Sequence, residues 1–118
     1  MVMTKKKGVN DSEKERLIDI MNNSVLATLR KIEPHLLVLW KAQDIMSNKN
    51  VLNFNWNGIK YNYNINVLHV EKINVYNMKC TRIENNKTKN IKVINNIKEV
   101  DLYNTLNDYI NGELKDEL

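Results

Sequence analysis

Hydrophobic residues recur in the first third of the chain at the three- and four-residue spacing of an α-helix. They form one stripe, which consists of Ile18, Met21, Val25, Leu29 and Ile32. Ser12 and Glu15 have the spacing of a capping box at the start of this helix. Pro34 ends it and suits the first turn of a second helix, which we expect to reach about Met46. Residues 12–47 are therefore predicted to form an αα-hairpin.

The hydrophobic period changes to 2 after the polar residues 48–50, which is typical of strands. Asn57-Gly58 favours a two-residue hairpin turn, because both central positions of a type I′ turn need a positive φ. The expected cross-strand pairs are Trp56 with Ile59, Phe54 with Tyr61, and Leu52 with Tyr63. The aromatic residues of this hairpin would then share one buried face.

A second hairpin is predicted from Ile73–Ile83, a tip at 85–90 and a return strand over 91–95. Asp101 is a suitable N-cap for a last helix. Its apolar stripe consists of Tyr103, Leu106, Ile110 and Leu114. The predicted class is α+β, with an N-terminal αα-hairpin, a four-stranded antiparallel sheet of two hairpins, and a C-terminal helix packed on one sheet face.

A length of 118 residues suits a single domain, which we place at 11–118 behind a flexible basic leader at 1–10. The chain contains 21 Asn, 15 Lys and 12 Ile, the residues of AT-rich codons. Asn alternates with apolar residues in the first hairpin and marks its polar face. Those asparagines are Asn53, Asn55, Asn57, Asn62, Asn64 and Asn66.

The single cysteine, Cys80, cannot form an internal disulfide, which indicates a reducing, cytoplasmic location. We expect no membrane association, because the longest apolar run, Leu36 to Trp40, is far shorter than the roughly 20 residues of a membrane span. The C-terminal sequence Lys115 to Leu118 matches an ER-retrieval signal, but retrieval requires an entry signal, so we interpret the match as coincidence.

Charge is distributed unevenly along the chain, although the net charge is only +4. Residues 1–10 contribute +3, residues 11–47 contribute −1, residues 48–98 contribute +7 and residues 99–118 contribute −5. The predicted strands are therefore basic and the last helix is acidic. A basic segment of this kind attracts acidic partners.

The candidate binding residues are the cations of the strand region. They are Lys60, Lys72, Lys79, Arg82, Lys87, Lys89, Lys92 and Lys98. One interpretation is a docking surface for an acidic protein or nucleoprotein, and an alternative is a nucleic-acid-binding regulator that contacts phosphates through the same residues. A third interpretation is that lysines only protect exposed strands from edge-to-edge pairing. The scarcity of Arg disfavours specific base contacts.

Catalytic signatures are absent from the sequence. His35 and His69 lack the spacing of a metal pair, and Cys80 has no activating neighbour. Three glycines in the whole chain are too few for a phosphate-binding loop. We therefore expect no enzyme activity, no cofactor and no metal.

The sequence as a whole favours a small interaction or regulatory protein, of the kind that phages and other mobile elements encode. Its basic strand surface would occlude a larger acidic partner, with long-range charge speeding the encounter. A homodimer formed through the helices or an edge strand is a further expectation, because symmetric association is common.

Overall fold

Five antiparallel strands form one sheet, and their order in the sheet follows their order in the chain. The computed structural model describes residues 24–58 and 60–114. The helices are α1 (Val25–Arg30), α2 (Leu36–Leu39) and α3 (Glu99–Asp108). The strands are β1 (Gln43–Ser47), β2 (Val51–Asn57), β3 (Asn62–Val70), β4 (Val75–Glu84) and β5 (Lys87–Ile97). A 3₁₀ turn at Glu71–Ile73 joins β3 to β4, and a π-helical segment, Tyr109–Leu114, follows α3.

One face of the sheet is buried beneath the helices. Alternate residues of the central strands point to this face, as the period of 2 requires. The buried strand residues are Leu52, Phe54, Trp56, Tyr63, Ile65, Val67, Tyr76, Met78, Cys80 and Ile97. The helical segments contribute Val25, Leu29, Leu36, Trp40, Leu102, Leu106, Tyr109 and Ile110 to the same core. The α+β class, the antiparallel sheet and the C-terminal helix are thus confirmed.

Trp40 connects the N-terminal helices, the sheet and α3. Its ring stacks on Phe54 and on Tyr103, with centroid separations of 5.9 and 5.8 Å. Its indole Nε1 donates a 3.0 Å hydrogen bond to Oδ1 of Asn107 in α3. This bond satisfies the polar end of a side chain that is otherwise buried.

The predicted αα-hairpin is only partly matched, because the second helix is short and a fifth strand follows it. Lys41 has a φ of 56°, a left-handed conformation that prevents the helix from continuing toward Met46. The chain from Gln43 instead pairs with β2, and this pairing satisfies backbone groups at the edge of the sheet. Four strands were expected, and the fifth is β1.

The first predicted helix also does not run unbroken through residue 24. Ser24 is extended, with φ −76° and ψ 167°, and its Oγ accepts a 3.0 Å hydrogen bond from the Ala27 N–H. Ser24 therefore caps the N-terminus of α1, which is a role that serine commonly has. The leader at 1–10, the Ser12 capping box, Ile18, Met21 and residues 115–118 lie outside the described residues.

The first hairpin has the predicted faces but a different register. Trp56 pairs with Tyr63, and Phe54 pairs with Ile65. The pairing is displaced by four residues from the one expected for a two-residue turn. A shift by an even number of residues keeps every side chain on its face, so the alternation alone cannot distinguish the two registers.

The second hairpin has the short turn that was expected of the first. Asn85 and Asn86 both have positive φ, 47° and 64°, and Glu84 pairs with Lys87. This is the type I′ geometry, which asparagine tolerates better than most residues. The six-residue tip predicted at 85–90 is wrong, because residues 87–90 belong to β5.

α3 begins two residues before the predicted Asp101, and Lys98 occupies its N-cap position. Leu106 and Ile110 of the predicted stripe are buried, and Tyr103 is partly buried against the core. No helix among the described residues has the length and apolar character needed to cross a membrane.

Candidate functional site

The helix-covered face of β4 changes in chemistry along its length. Tyr76, Met78 and Cys80 are buried beneath the helices. The next residues on the same face are Arg82 and Glu84, which are only partly buried. The apolar core therefore stops at Cys80, while the strand continues with charged residues.

β5 also changes from apolar to charged residues at the positions directly opposite these residues of β4. Lys92 pairs with Cys80, Lys89 with Arg82, and Lys87 with Glu84. Residues directly opposite each other in antiparallel strands project to the same face, so these lysines lie beside the end of the core. We use the name basic end for the group Lys60, Arg82, Lys87, Lys89 and Lys92.

Tyr61 lies within the basic end and contacts two of its cations. The Cζ of Arg82 is 4.4 Å from the centre of the Tyr61 ring, and the Nζ of Lys60 is 5.6 Å from it. Both distances are within the range of cation–π attraction. The ring holds two like charges close together that would otherwise separate into solvent.

Glu84 provides the negative charge at the basic end. Its Oε1 is 3.1 Å from Nε of Arg82, whose side chain is 17% exposed. The carboxylate and the Tyr61 ring thus orient the guanidinium from two sides. The basic end thus brings five cations beside the Glu84 carboxylate, a local excess of positive charge among these residues.

Three of the candidate residues from the sequence lie elsewhere. Lys79 is opposite Asn66 and Val93 on the other face of the sheet. Lys72 lies in the 3₁₀ turn at the far end of β4, roughly 30 Å from the Asn85-Asn86 turn for a ten-residue strand. Lys98 is at the N-cap of α3. The structure therefore brings together five of the eight.

On β1, β2 and β3, the face of the sheet away from the helices is a layer of amide side chains. Asn53 and Asn64 exchange two hydrogen bonds, of 3.1 and 2.9 Å. Asn64 also donates to Oδ1 of Asn55 at 2.9 Å, and Asn55 donates to Oδ2 of Asp44 at 3.0 Å. The amides thereby satisfy one another across β1, β2 and β3, and the face is close to neutral.

The aromatic residues of the first hairpin pack into the core, as their alternation predicts. Phe54 and Tyr63 are fully buried and Trp56 is 9% exposed. The amide face therefore carries none of these rings for stacking of nucleic-acid bases. Tyr61 differs from the expected core position, because it is partly buried at the margin, among the cations.

His69 stacks on Tyr76 with ring centroids 4.5 Å apart, and its Nε2 is 2.8 Å from Oδ1 of Asn74. His35 is exposed before α2, and Cys80 is a buried thiol. Within residues 24–58 and 60–114, no group of three or more His, Cys, Asp or Glu side chains is arranged to hold a metal ion.

A shallow groove of about 420 Å³ lies between the end of β5 and α3. Its lining includes Asn96, Lys98, Asp101 and Asp108. The groove thus has carboxylates on its helical wall, in contrast to the basic end at the start of β5.

No protein family, no curated protein sequence and no solved structure matches this chain. The function must therefore be argued from the geometry alone.

Two features of the basic end are missing from the sequence prediction. The hairpin pattern placed Tyr61 in the core, and Glu84 stood outside the candidate set. The i and i+2 spacing of Arg82 and Glu84 on a strand was the available signal, because it places them on one face. No local signal showed that these residues would be only partly buried.

Proposed function

We propose that this protein is a non-catalytic interaction protein that docks its basic end onto an acidic macromolecule. The observation that carries the proposal is the pairing of β4 with β5, which places Lys87, Lys89 and Lys92 beside Arg82 on one face. Lys89 lies directly opposite Arg82, and like charges in such a pair destabilise a sheet. An acidic partner would relieve this repulsion when it binds.

The proposed partner is an acidic protein surface. Arginine forms the commonest specific base contact in nucleic-acid recognition, and the basic end has one arginine, which Glu84 and Tyr61 already orient. Lysine acts as a point charge that suits scattered carboxylates. Electrostatic steering by such a cluster mainly raises the association rate, and the rate falls with added salt.

The test measures binding of the full chain to a 20-residue polyglutamate peptide, a random DNA duplex and a DNA single strand across a salt series. The variant K87E/K89E/K92E should bind polyglutamate at least about tenfold more weakly, because three exposed ion pairs are each worth a fraction of a kcal/mol and reversal adds repulsion. The matched control is K72E/K79E/K98E, which makes the same change in net charge at three exposed lysines that lie away from the basic end.

The control variant should bind within about threefold of wild type, because its substitutions alter only the screened long-range field. Equal losses in the two variants, or none in either, would contradict a localised site. Tighter binding to DNA than to polyglutamate, with a log–log salt slope near −0.9 per neutralised phosphate, would instead support the nucleic-acid alternative.

A further inference from the structure

We infer that the acidic partner binds the outer edge of β5 as an additional strand, with carboxylates at alternate positions. This inference rests on the proposed function of the basic end and specifies the conformation of the partner. Addition of a strand to a sheet edge combines main-chain hydrogen bonds, which provide affinity, with alternate side-chain contacts, which provide specificity.

The first support is the position of β5 in the sheet. β5 is the last strand in the order, and among the described residues no strand pairs with its outer side. It has 11 residues, whereas β1 at the other edge has five and an irregular register between Gln43 and Met46. An edge strand presents a row of backbone donors and acceptors. Of the two edges, β5 presents the longer row.

The second support is that the regular part of β5 coincides with the basic end. The pairing with β4 is continuous from Glu84–Lys87 to Thr81–Asn90, and its irregularities come later along β5. Lys87 and Lys89 are two residues apart in this stretch, so they project to one face. Thr88 and Asn90 project to the other face and are uncharged. A matching strand would alternate acidic and neutral residues.

The third support is that charge disfavours a second copy of this chain at the same edge. Antiparallel pairing of two copies of β5 centred on Thr88, in the regular stretch, would place Lys87 of each copy opposite Lys89 of the other, and such like-charge neighbours are destabilising. Lysines on an edge strand are a common device against self-association. The same lysines attract a strand of opposite charge, so the edge selects an acidic partner over itself.

The probe is a ten-residue peptide in which Glu and Thr alternate, blocked at both ends. Three control peptides accompany it. One has the same composition with the five Glu in a single block, one carries N-methyl groups on the Glu backbone nitrogens, and one carries them on the Thr nitrogens. In a strand the N–H groups of alternate residues point to the same side. Only one of the two methylated peptides therefore loses its hydrogen bonds to β5.

We expect the alternating peptide to bind about tenfold more tightly than the block peptide, since a few net main-chain hydrogen bonds of about 1 kcal/mol supply that factor. One methylated peptide should lose this advantage and the other should keep it. Amide hydrogen exchange at residues 87–90 should slow in the complex. K87E/K89E should abolish binding of the alternating peptide, whereas K72E/K98E should not.

Equal weakening by both methylation patterns, or weakening by neither, would overturn strand addition. Equal affinities of the block and alternating peptides would also overturn it. In those cases loss of binding in K87E/K89E would still support docking by the basic end. If K87E/K89E instead binds every acidic peptide as wild type does, the proposed function fails as well.

Discussion

The sheet face that packs against the helices has two parts, a covered half and the basic end. Side chains alternate in the same way in both parts, but the two parts differ in how deeply they are buried. In the covered half, Tyr63 and Cys80 are fully buried beneath the helices. At the basic end, Tyr61, which directly precedes β3, and Arg82, two residues after Cys80 in β4, contact each other at the margin of the core. The alternation of side chains is the same in both halves. The comparison shows that alternation determines which face a residue occupies, whereas the packing of the rest of the molecule determines whether that residue is buried.

The largest expected effect is a difference in stability between variants of Tyr63 and Tyr61, which occupy successive positions on one face. Tyr63→Ala should lower the free energy of unfolding by about 3–5 kcal/mol, because it leaves a cavity in a packed core. Tyr61→Ala should cost about 1–2 kcal/mol, because it removes partial burial and two cation–π contacts. Urea denaturation of both variants measures the difference.

Tyr61→Phe is the matched control for this pair, since it keeps the ring and should remain close to wild type in stability. If Tyr61→Ala and Tyr63→Ala destabilise the protein equally, the core extends through the basic end, and the division between the two halves is wrong.

A smaller effect, a gain rather than a loss of stability, is expected for a substitution within the basic end. Lys89 lies directly opposite Arg82, so Lys89→Glu replaces a like-charge pair by an attractive one. Stability should rise by about 0.2–1 kcal/mol, while binding to polyglutamate weakens. Lys89→Gln should give an intermediate stability. A loss of stability in Lys89→Glu at low salt would show that the cations are not under mutual repulsion.

The smallest expected effect is a pH dependence in the covered half. Burial raises the pKa of Tyr76 above its ordinary value of 10.0; a hydrogen bond with Thr28 opposes this shift, and the Glu99 carboxylate adds to it. The folded state then binds the proton more tightly than the unfolded state. The contribution of Tyr76 is complete below pH 10 and is lost as the pH rises above that value.

Tyr76→Phe should therefore lose stability less steeply above pH 10, by at most about 1.4 kcal/mol per pH unit for a single proton. Urea denaturation of both proteins at pH 9, 10 and 11 measures the slopes. Parallel profiles for wild type and variant would contradict a raised pKa at this position.

The faces of the sheet could be predicted from the sequence, but the registers could not. Leu52, Phe54 and Trp56 lie in the core as their alternation indicates. Their partners differ from the expected ones because Asn57 ends β2 and pairs with Asn62 across a longer loop, while Asn85-Asn86 forms the two-residue turn. Turn propensity is local, and the packing of the rest of the sheet decides between registers that bury the same residues.

The second helix is shorter than predicted for a similar reason. Leu36 to Trp40 is apolar, which suits a helix through the core, but the following residues satisfy their backbone by pairing with β2. The amide positions of β2 and β3 followed from the sequence, and so did the excess of charge in the strand region. The segregation of five cations from Lys72, Lys79 and Lys98 depends on the strand pairing and on where the helices end, which no local pattern encodes.

The order of the strands has a consequence for how the chain folds. Each strand pairs with its neighbour in sequence, so no pairing in the sheet requires closure of a long loop. Loop closure is the main entropic cost of strand pairing, and topologies rich in local contacts fold faster than those with distant pairings. The two-residue turn at Asn85-Asn86 closes the shortest of these loops. The surface proposed for binding is thus attached to the hairpin with the shortest loop to close, whereas the contact between Asn107 of α3 and Trp40 joins residues far apart in the chain.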